Sequence, residues 1–281
     1  MKTIKCKVKD LDVYYETRGQ GNPIIILHGF SLDHRSMVGS MEPVFRYRKG
    51  WRRIYPDLPG HGQTLVKDWI NSTDDILDVV LEFIDTLIPN QRFVIVGLSY
   101  GGYLARGIIF RRFEWIDGML LIVPMVISNP TDRTLPPKTV FVKDEELLSS
   151  LSLKEREVFE EVAVIQTKDH WKRFKSEITA AVNVADEKFL ENLQLPQIAF
   201  SFDVDILSRP FEKPSLILVG RQDHWLGYQD AWKILENYPR ATFAVLDRAG
   251  HCLQMEQEKL FNQLVSEWLD RVEESLSEMA E

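Results

Sequence analysis

The segment Gly-Leu-Ser-Tyr-Gly at positions 97–101 constrains the fold of this chain more than any other stretch. It follows 93–96, a short run of β-branched and aromatic residues that is typical of a buried strand. It precedes 102–110, for which we predict a helix. A serine between two glycines where a strand passes into a helix is the pattern of a nucleophile elbow, a very sharp turn. The pattern predicts that the Ser99 hydroxyl projects above a sheet edge; the alternative is an incidental serine in a glycine-rich turn.

Strand and helix patterns alternate on both sides of this turn. Uninterrupted apolar runs at 24–27, 119–123 and 215–219 are expected of strands that are covered on both faces. A strong amphipathic helix follows a cap at Ser72 or Thr73, and another is predicted at 255–274. The alternation predicts an α/β fold with a mostly parallel sheet wrapped by helices.

The alternation stops between positions 124 and 210. Proline-containing pairs make an irregular entry, and helical patterns follow at 145–165, 170–184 and 187–193. We therefore predict a core domain formed by 1–123 and 211–281, with a mostly helical insertion at 124–210. The helix expected at 229–238 and the strand expected at 242–246 belong to the second part of the core.

Composition excludes several functional classes. The 281 residues carry a net charge of −8, from 34 basic and 42 acidic residues, so nothing suggests a nucleic-acid partner. Cys6 and Cys252 are too few for a disulfide scaffold. The most apolar stretch, 119–127, is too short to span a bilayer, and the first seven residues lack the apolar core of a signal peptide. We expect a cytoplasmic monomer or homodimer that acts on a small molecule and has no membrane partner.

A serine hydroxyl is a weak nucleophile and needs a base, which must in turn be oriented by a carboxylate. His251 lies in a loop just after the last predicted strand, and Asp223 follows the strand at 215–219. Ser99, Asp223 and His251 thus each follow the carboxyl end of a strand, where open α/β sheets place their sites. Asp203 and Asp205 are rival acids, but neither follows a sheet strand.

Charge that develops on a carbonyl oxygen during acyl transfer needs hydrogen-bond donors. The turn at 28–30 follows the strand at 24–27 and contains Gly29, which lets the backbone direct its N–H groups toward the site. We expect the backbone N–H groups of Phe30 and Tyr100 to be these donors.

The remaining histidines and Cys252 receive other interpretations. His28 and His61 are more typical of turn-holding residues than of catalytic ones, and Cys252 is interpreted as a small buried residue. The pair at 224–225 favours pocket lining and packing about equally, whereas we expect packing for the pair at 170–171. The spacing of histidines and acids matches no metal motif, so we predict neither a metal nor a cofactor.

These motifs together resemble those of the α/β-hydrolase fold family. The resemblance covers nearly the whole chain and includes the turn at 28–29, the Asp-Leu-Pro-Gly-His-Gly run at 57–62, the elbow, and the loops at 220–223 and 250–251. It implies an eight-stranded, mostly parallel sheet, a cofactor-free hydrolytic triad and a helical cap. By resemblance only, the insertion at 124–210 takes the role of this cap, which shapes the substrate pocket.

The leading functional hypothesis is a serine hydrolase that cleaves small, uncharged or weakly polar carboxylic esters through an acyl-enzyme. Members of the family that cleave carbon–carbon bonds commonly carry Asn before the nucleophile and Trp after the histidine; here these positions are Leu98 and Cys252. These two departures count against a carbon–carbon bond hydrolase, which stays as an alternative together with a perhydrolase and an acyltransferase of the same fold. A different class is a small-molecule receptor that keeps the fold without turnover.

Overall fold

The computed structural model describes residues 4–193 and 196–278. Residues 1–3, 194–195 and 279–281, which the predicted domain ranges include, lie outside the described residues. In the described part of the chain, the strands are β1 (Ile4–Val8), β2 (Leu11–Arg18), β3 (Asn22–Leu27), β4 (Trp51–Pro56), β5 (Phe93–Leu98), β6 (Ile116–Ile122), β7 (Val142–Lys143), β8 (Ile165–Gln166), β9 (Ser215–Gly220) and β10 (Ala241–Leu246).

Eight of these described strands form one sheet in the order β1-β2-β4-β3-β5-β6-β9-β10. The pairs β1–β2 and β2–β4 are antiparallel, and the other neighbours are parallel. The predicted eight-stranded, mostly parallel sheet is therefore confirmed. Strands β7 and β8 form a separate two-stranded sheet within 124–210, which the sequence did not predict.

Helices cover both faces of the sheet, and several short helices lie within the 124–210 segment. In the described residues they are α1 (His34–Phe45), α2 (Thr73–Leu87), α3 (Tyr100–Arg112), α4 (Glu145–Ser150), α5 (Leu153–Val162), α6 (Lys168–Phe174), α7 (Ala180–Val182), α8 (Glu187–Asn192), α9 (Gln229–Trp232), α10 (Leu253–Glu256) and α11 (Glu258–Glu278). A π-helical turn, Lys175–Thr179, joins α6 to α7.

The core has two layers because successive strand residues point to opposite faces of the sheet. On one face Ile25 and Ile95 pack in a cluster with residues of α2 and α3. On the other face Ile24 and Val94 pack in a cluster with residues of α1 and α11, including the fully buried Trp268. Burial on both faces explains the uninterrupted apolar runs of the central strands.

Three predicted helices have different boundaries in the structure. The helix predicted at 145–165 is broken at Leu151 because Ser152 and Glu155 form a reciprocal capping box that starts α5. The helix predicted at 229–238 is α9 followed by a 3₁₀ turn, Leu235–Asn237. The last helix is interrupted at Gln257, where α10 ends before α11 begins.

Among the described residues, no helix combines the length and the apolar character that crossing a bilayer requires.

Candidate active site

Ser99 sits at a sharp elbow between β5 and α3. Its backbone has φ 53° and ψ −112°, a conformation that costs a non-glycine residue of order 1–3 kcal/mol. The Ser99 N–H donates to the Ile122 carbonyl at 2.9 Å, and its carbonyl accepts from the Met125 N–H at 3.0 Å. Bonds to the end of the neighbouring strand β6 therefore hold the strained turn in place.

The glycines of the elbow are required by close backbone approach. A Cβ on Gly97 would overlap the Gly101 carbonyl oxygen. A Cβ on Gly101 would lie 2.5 Å from the carbonyl oxygens of both Leu27 and His28. The start of α3 therefore packs directly against the end of β3. The turn that contains Phe30 follows this strand.

We expect Gly101→Ala to lower the free energy of unfolding by at least about 3 kcal/mol, because the backbone carbonyls of Leu27 and His28 must move away from the added methyl group. Urea unfolding followed by circular dichroism measures the change. Gly50→Ala is the matched control: its φ is +86°, but a Cβ there meets nothing within 4 Å, so about 1–2 kcal/mol is expected. Equal stability of the two variants would contradict the packing argument.

Three predicted site residues meet at the carboxyl edge of the sheet. His251 Nε2 lies 3.1 Å from Ser99 Oγ, and His251 Nδ1 lies 2.9 Å from Asp223 Oδ2. Each residue follows a different parallel strand, namely β5, β9 or β10. A proton on Nδ1 directed at the carboxylate leaves the Nε2 lone pair for the serine hydroxyl, so this arrangement can accept the hydroxyl proton.

Asp223 is fully buried and ionises because its hydrogen bonds compensate for burial. Oδ1 accepts from the N–H groups of Trp225 at 3.0 Å and Leu226 at 3.1 Å. Burial opposes ionisation, but the neighbouring His251 and these two N–H groups outweigh it and lower the pKa of Asp223. The carboxylate therefore has a fixed orientation and a stable negative charge beside the imidazole.

The residues next to Asp223 contribute to the wall of the site. Trp225 lies against His251 with ring centroids 5.3 Å apart, and His224 Nε2 lies 3.1 Å from Glu161 Oε1. Both His224 and Trp225 line the cavity that contains Ser99.

Phe30 and Tyr100, the predicted oxyanion donors, also line this cavity. Their rings contact each other edge to face, with centroids 5.6 Å apart. Within the described residues, neither backbone N–H has a hydrogen-bond acceptor. Tyr100 is the first residue of α3, where N–H groups have no partner within the helix and the helix dipole favours negative charge.

His28 and His61 hold the loops behind the site. The His28 ring bonds the Gly29 carbonyl at 2.8 Å and accepts from the Leu58 N–H at 3.0 Å. His61 Nδ1 lies 2.9 Å from the Pro59 carbonyl, and burial lowers the pKa of His61 to about 3. His61 is thus neutral, and neither ring contacts Ser99.

A cluster that the sequence did not single out joins Asp33, His34 and Asp57, whose ligand atoms lie within 4.8 Å of one another. Asp57 accepts from the backbone and Nδ1 of His34 at 2.9 and 2.8 Å, and Asp33 bonds Arg35. These carboxylates are already used by protein donors. The cluster therefore fixes the start of α1 rather than offering open metal ligands.

Glu256 is a second residue that the sequence did not single out. Its carboxylate accepts from the N–H groups of Gly250 and Val164, each at 2.6 Å, and of Ile165 at 3.3 Å. It therefore joins the His251 loop to strand β8. Burial raises the pKa of Glu256 to about 7, against the lowering effect of these N–H groups.

This shift gives a pH dependence of stability with a defined sign. Because the folded state binds the Glu256 proton more tightly than the unfolded chain, the free energy of unfolding falls as the pH rises from about 4.5 to about 7. The contribution is about 3 kcal/mol at most. Urea unfolding at several pH values should show a smaller decline in Glu256→Gln than in the wild type; parallel curves would contradict the assignment.

The cavity beside Ser99 has a volume of about 770 Å³. Most of its wall is apolar and much of it comes from the 124–210 segment, with side chains that include Val158, Val162, Phe174, Ile178 and Val182. Polar groups also reach it, notably Arg133 and Gln254, neither of which had a sequence signal. His170 and Trp171 do not line it; Trp171 packs on Phe159 with ring centroids 5.2 Å apart.

Comparison with known proteins places these features in a family. A model of the alpha/beta hydrolase family matches residues 24–264. A crystal structure of an alpha/beta superfamily hydrolase from Oenococcus oeni PSU-1 superposes with a TM-score of 0.88 at 27% identity, covering 97% of this chain and all of that one.

Two curated relatives have more specific names. A pimeloyl-[acyl-carrier protein] methyl ester esterase from Legionella pneumophila (strain Paris) is 24% identical over 271 residues, covering 92% of this chain and 100% of the relative. A 2-hydroxy-6-oxononadienedioate/2-hydroxy-6-oxononatrienedioate hydrolase from Burkholderia vietnamiensis (strain G4 / LMG 22486) is 24% identical over 285 residues, covering 93% and 92%. Because the family model spans most of the chain, this protein belongs to the alpha/beta hydrolase family.

Proposed function

We propose that this protein is a serine hydrolase that cleaves small carboxylic esters through an acyl-enzyme intermediate. The observation that carries the proposal is the continuous set of contacts from Ser99 through His251 to Asp223, opening on an apolar cavity. Ser99 is the nucleophile, His251 the general base, and Asp223 the residue that orients the imidazole and stabilises its charged form.

Acylation begins with attack of Ser99 Oγ on the ester carbonyl carbon while His251 Nε2 takes the hydroxyl proton. The N–H groups of Phe30 and Tyr100 stabilise the negative charge that develops on the carbonyl oxygen. Their lack of other acceptors supports this role, since a donor that is already engaged would have to break a bond first.

Breakdown of the tetrahedral intermediate returns the proton from His251 to the leaving alcohol, and the acyl group stays on Ser99. His251 then takes a proton from water, whose oxygen attacks the acyl carbonyl. The carboxylic acid leaves, Ser99 regains its proton, and the site returns to its starting state. These steps use only groups of the chain and water.

We propose further that 124–210 acts as a cap and that the core consists of 1–123 and 211–281. Side chains of this segment line the cavity opposite the sheet edge, and Glu256 bonds its backbone at Val164 and Ile165. An apolar wall of this kind favours the alkyl or acyl chain of an ester over a bulky polar substrate.

The names of the relatives support hydrolysis but differ in the bond that is cleaved. The Legionella relative is named for a methyl ester, and the Burkholderia relative for an oxo-dienedioate. A carbon–carbon bond hydrolase is therefore the second candidate. Leu98 and Cys252 are buried apolar residues at the two positions where carbon–carbon hydrolases of the family commonly carry Asn and Trp. Ester cleavage is therefore the better match.

A fluorophosphonate probe tests the proposal directly. We expect stoichiometric labelling that peptide mass spectrometry places on Ser99, together with loss of p-nitrophenyl butyrate turnover at the same rate. Labelling at another serine, or labelled protein with full turnover, would refute the assignment. Ligand-induced thermal stabilisation without multiple turnover would instead support the receptor alternative.

A further inference from the structure

The cavity beside Ser99 has an unbalanced charge. Among the described residues that line it, Arg133 is the one arginine or lysine, and no aspartate or glutamate is present. Arg133 lies close to the triad because its Nη1 donates to the carbonyl of Trp225 at 3.1 Å, and the ring of Trp225 lies against His251. The guanidinium of Arg133 therefore places a positive charge near Ser99 and His251, and no acidic residue among the described cavity-lining residues balances it.

The guanidinium bonds only neutral protein groups. Nε donates to the Ile127 carbonyl at 2.9 Å and Nη2 to the Ser128 carbonyl at 3.0 Å, in addition to the bond to Trp225. An arginine has five N–H donors, so two are left over. In the described part of the chain, no carboxylate lies within ion-pair distance of Arg133.

Other shielded arginines of the chain do have carboxylate partners. The fully buried Arg106 pairs with Asp205 at 2.5 Å, Arg53 pairs with Glu42 at 2.9 Å, and Arg173 pairs with Glu177 at 2.8 Å. Burial lowers the pKa of the half-buried Arg133, and the more distant Asp223 and Asp230 only partly offset this effect. A bound anion would supply the missing partner.

Gln254 is a second polar residue in the wall of this cavity. Its side chain is 2% exposed and lines the same cavity, yet its Oε1 atom has no hydrogen-bond partner. Leaving a buried polar atom unpaired costs about 1–3 kcal/mol. A water molecule or a ligand N–H or O–H group could donate to this atom, whereas a carboxylate only accepts, so the case for an anion rests on Arg133.

We propose that the preferred substrates are small esters that also carry a free carboxylate, which the guanidinium of Arg133 binds. This inference rests on the proposed ester hydrolysis and narrows it, since the sequence alone favours an uncharged or weakly polar ester. The two remaining N–H donors suit a carboxylate, because guanidinium and carboxylate groups form paired, charge-assisted hydrogen bonds.

The test compares matched esters in the wild type and in Arg133→Met. The charged series runs from monomethyl succinate to monomethyl suberate, and the neutral series from methyl butanoate to methyl octanoate, with acid release followed in a pH-stat. We expect the wild type to prefer the charged ester of at least one chain length by about tenfold or more in kcat/KM, as one charge-assisted bond provides. Arg133→Met should remove this preference, so that the charged and the neutral ester of each chain length have similar kcat/KM values.

Two controls separate charge recognition from a structural role. Arg111→Met removes an exposed arginine that lies 3.6 Å from Asp78, and it should leave both series unchanged. Arg133→Lys keeps the charge but not the paired donors, so it should retain part of the preference. No preference in the wild type, or an equal loss for charged and neutral esters in Arg133→Met, overturns the inference and leaves ester hydrolysis standing.

If the wild type hydrolyses none of these esters, that result counts against the proposed function. A binding measurement then tests the anion site separately. Calorimetry on Ser99→Ala with monomethyl adipate and methyl hexanoate tests recognition without turnover. Tighter binding of the charged ester that is lost in Ser99→Ala/Arg133→Met supports the anion site. Equal affinities for the two esters overturn it.

Discussion

Ser99→Ala is expected to lower kcat for p-nitrophenyl butyrate by about 10⁴–10⁶-fold, which is the range for removing the nucleophile of such a triad. In the described residues the two ring nitrogens of His251 bond Asp223 and Ser99, so no other hydroxyl is hydrogen-bonded to this base. The remaining rate should come from substrate binding and the oxyanion donors. We expect the free energy of unfolding to change by less than about 1 kcal/mol, because the hydroxyl leaves no large void.

Cys252 is the neighbour most able to replace the lost nucleophile, and its environment opposes this. Burial raises the pKa of the Cys252 thiol well above its ordinary value, and the nearby Glu256 and Asp223 raise it further. The reactive thiolate is thus scarce at neutral pH.

Ser176→Ala is the matched control for Ser99→Ala, because the hydroxyl of this exposed serine bonds only carbonyls of its own helical segment. Turnover of Ser99→Ala within tenfold of the wild type would disprove nucleophilic catalysis by Ser99.

The central sheet and the positions of the three site residues could be predicted because their signals are local. An uninterrupted apolar run requires burial on both faces, and β5 and β9 are buried along their entire length. The paired glycines of the elbow reflect a backbone approach that no larger residue allows. Parallel strands bring their carboxyl ends to one edge, so the positions of Asp223 and His251 just after predicted strands indicated that they lie near Ser99.

The cavity wall could not be predicted because distant contacts form it. Glu256 bonds Val164 and Gly250, and nothing in the sequence near Glu256 indicates that it accepts a bond from a residue 92 positions away. Arg133 lies in a short irregular segment. Its proposed role depends on the absence of a carboxylate among the described cavity-lining residues, which the sequence does not reveal. By contrast, the break after α4 had a readable signal, since Ser152 and Glu155 have the spacing of a capping box.

The loops that carry Asp223 and His251 also connect the proposed cap, 124–210, to the proposed core. In the loop of Asp223, the Trp225 carbonyl accepts from Arg133. In the loop of His251, the Gly250 N–H donates to Glu256, which also accepts from Ile165 of β8. A shift of the cap segment would therefore act on both loops through these buried polar contacts. The contacts that hold the proposed catalytic residues Asp223 and His251 therefore also hold the proposed substrate-binding residue Arg133, so we expect a change in one to affect the other.

Asp223→Asn is expected to lower kcat by about 10⁴-fold while leaving the fold intact. The Oδ1 atom of Asp223 accepts from the N–H groups of Trp225 and Leu226, and an asparagine oxygen can keep both bonds. The amide nitrogen must then face His251 Nδ1, where it donates instead of accepting. The imidazole proton moves to Nε2, and no lone pair is left to take the proton of Ser99.

Measurement of kcat with p-nitrophenyl butyrate, alongside unfolding in urea, separates this tautomer effect from a loss of structure. Asp203→Asn is the matched control, because Asp203 is exposed and, in the described residues, its side chain bonds only the Asp205 N–H. We expect the kcat of this variant to stay within about twofold of the wild type. Asp223→Ala should show a similar loss of kcat but lower stability, since it leaves the two N–H groups and the imidazole unpaired. If Asp223→Asn kept more than a tenth of the wild-type kcat, Asp223 would not be the residue that orients His251.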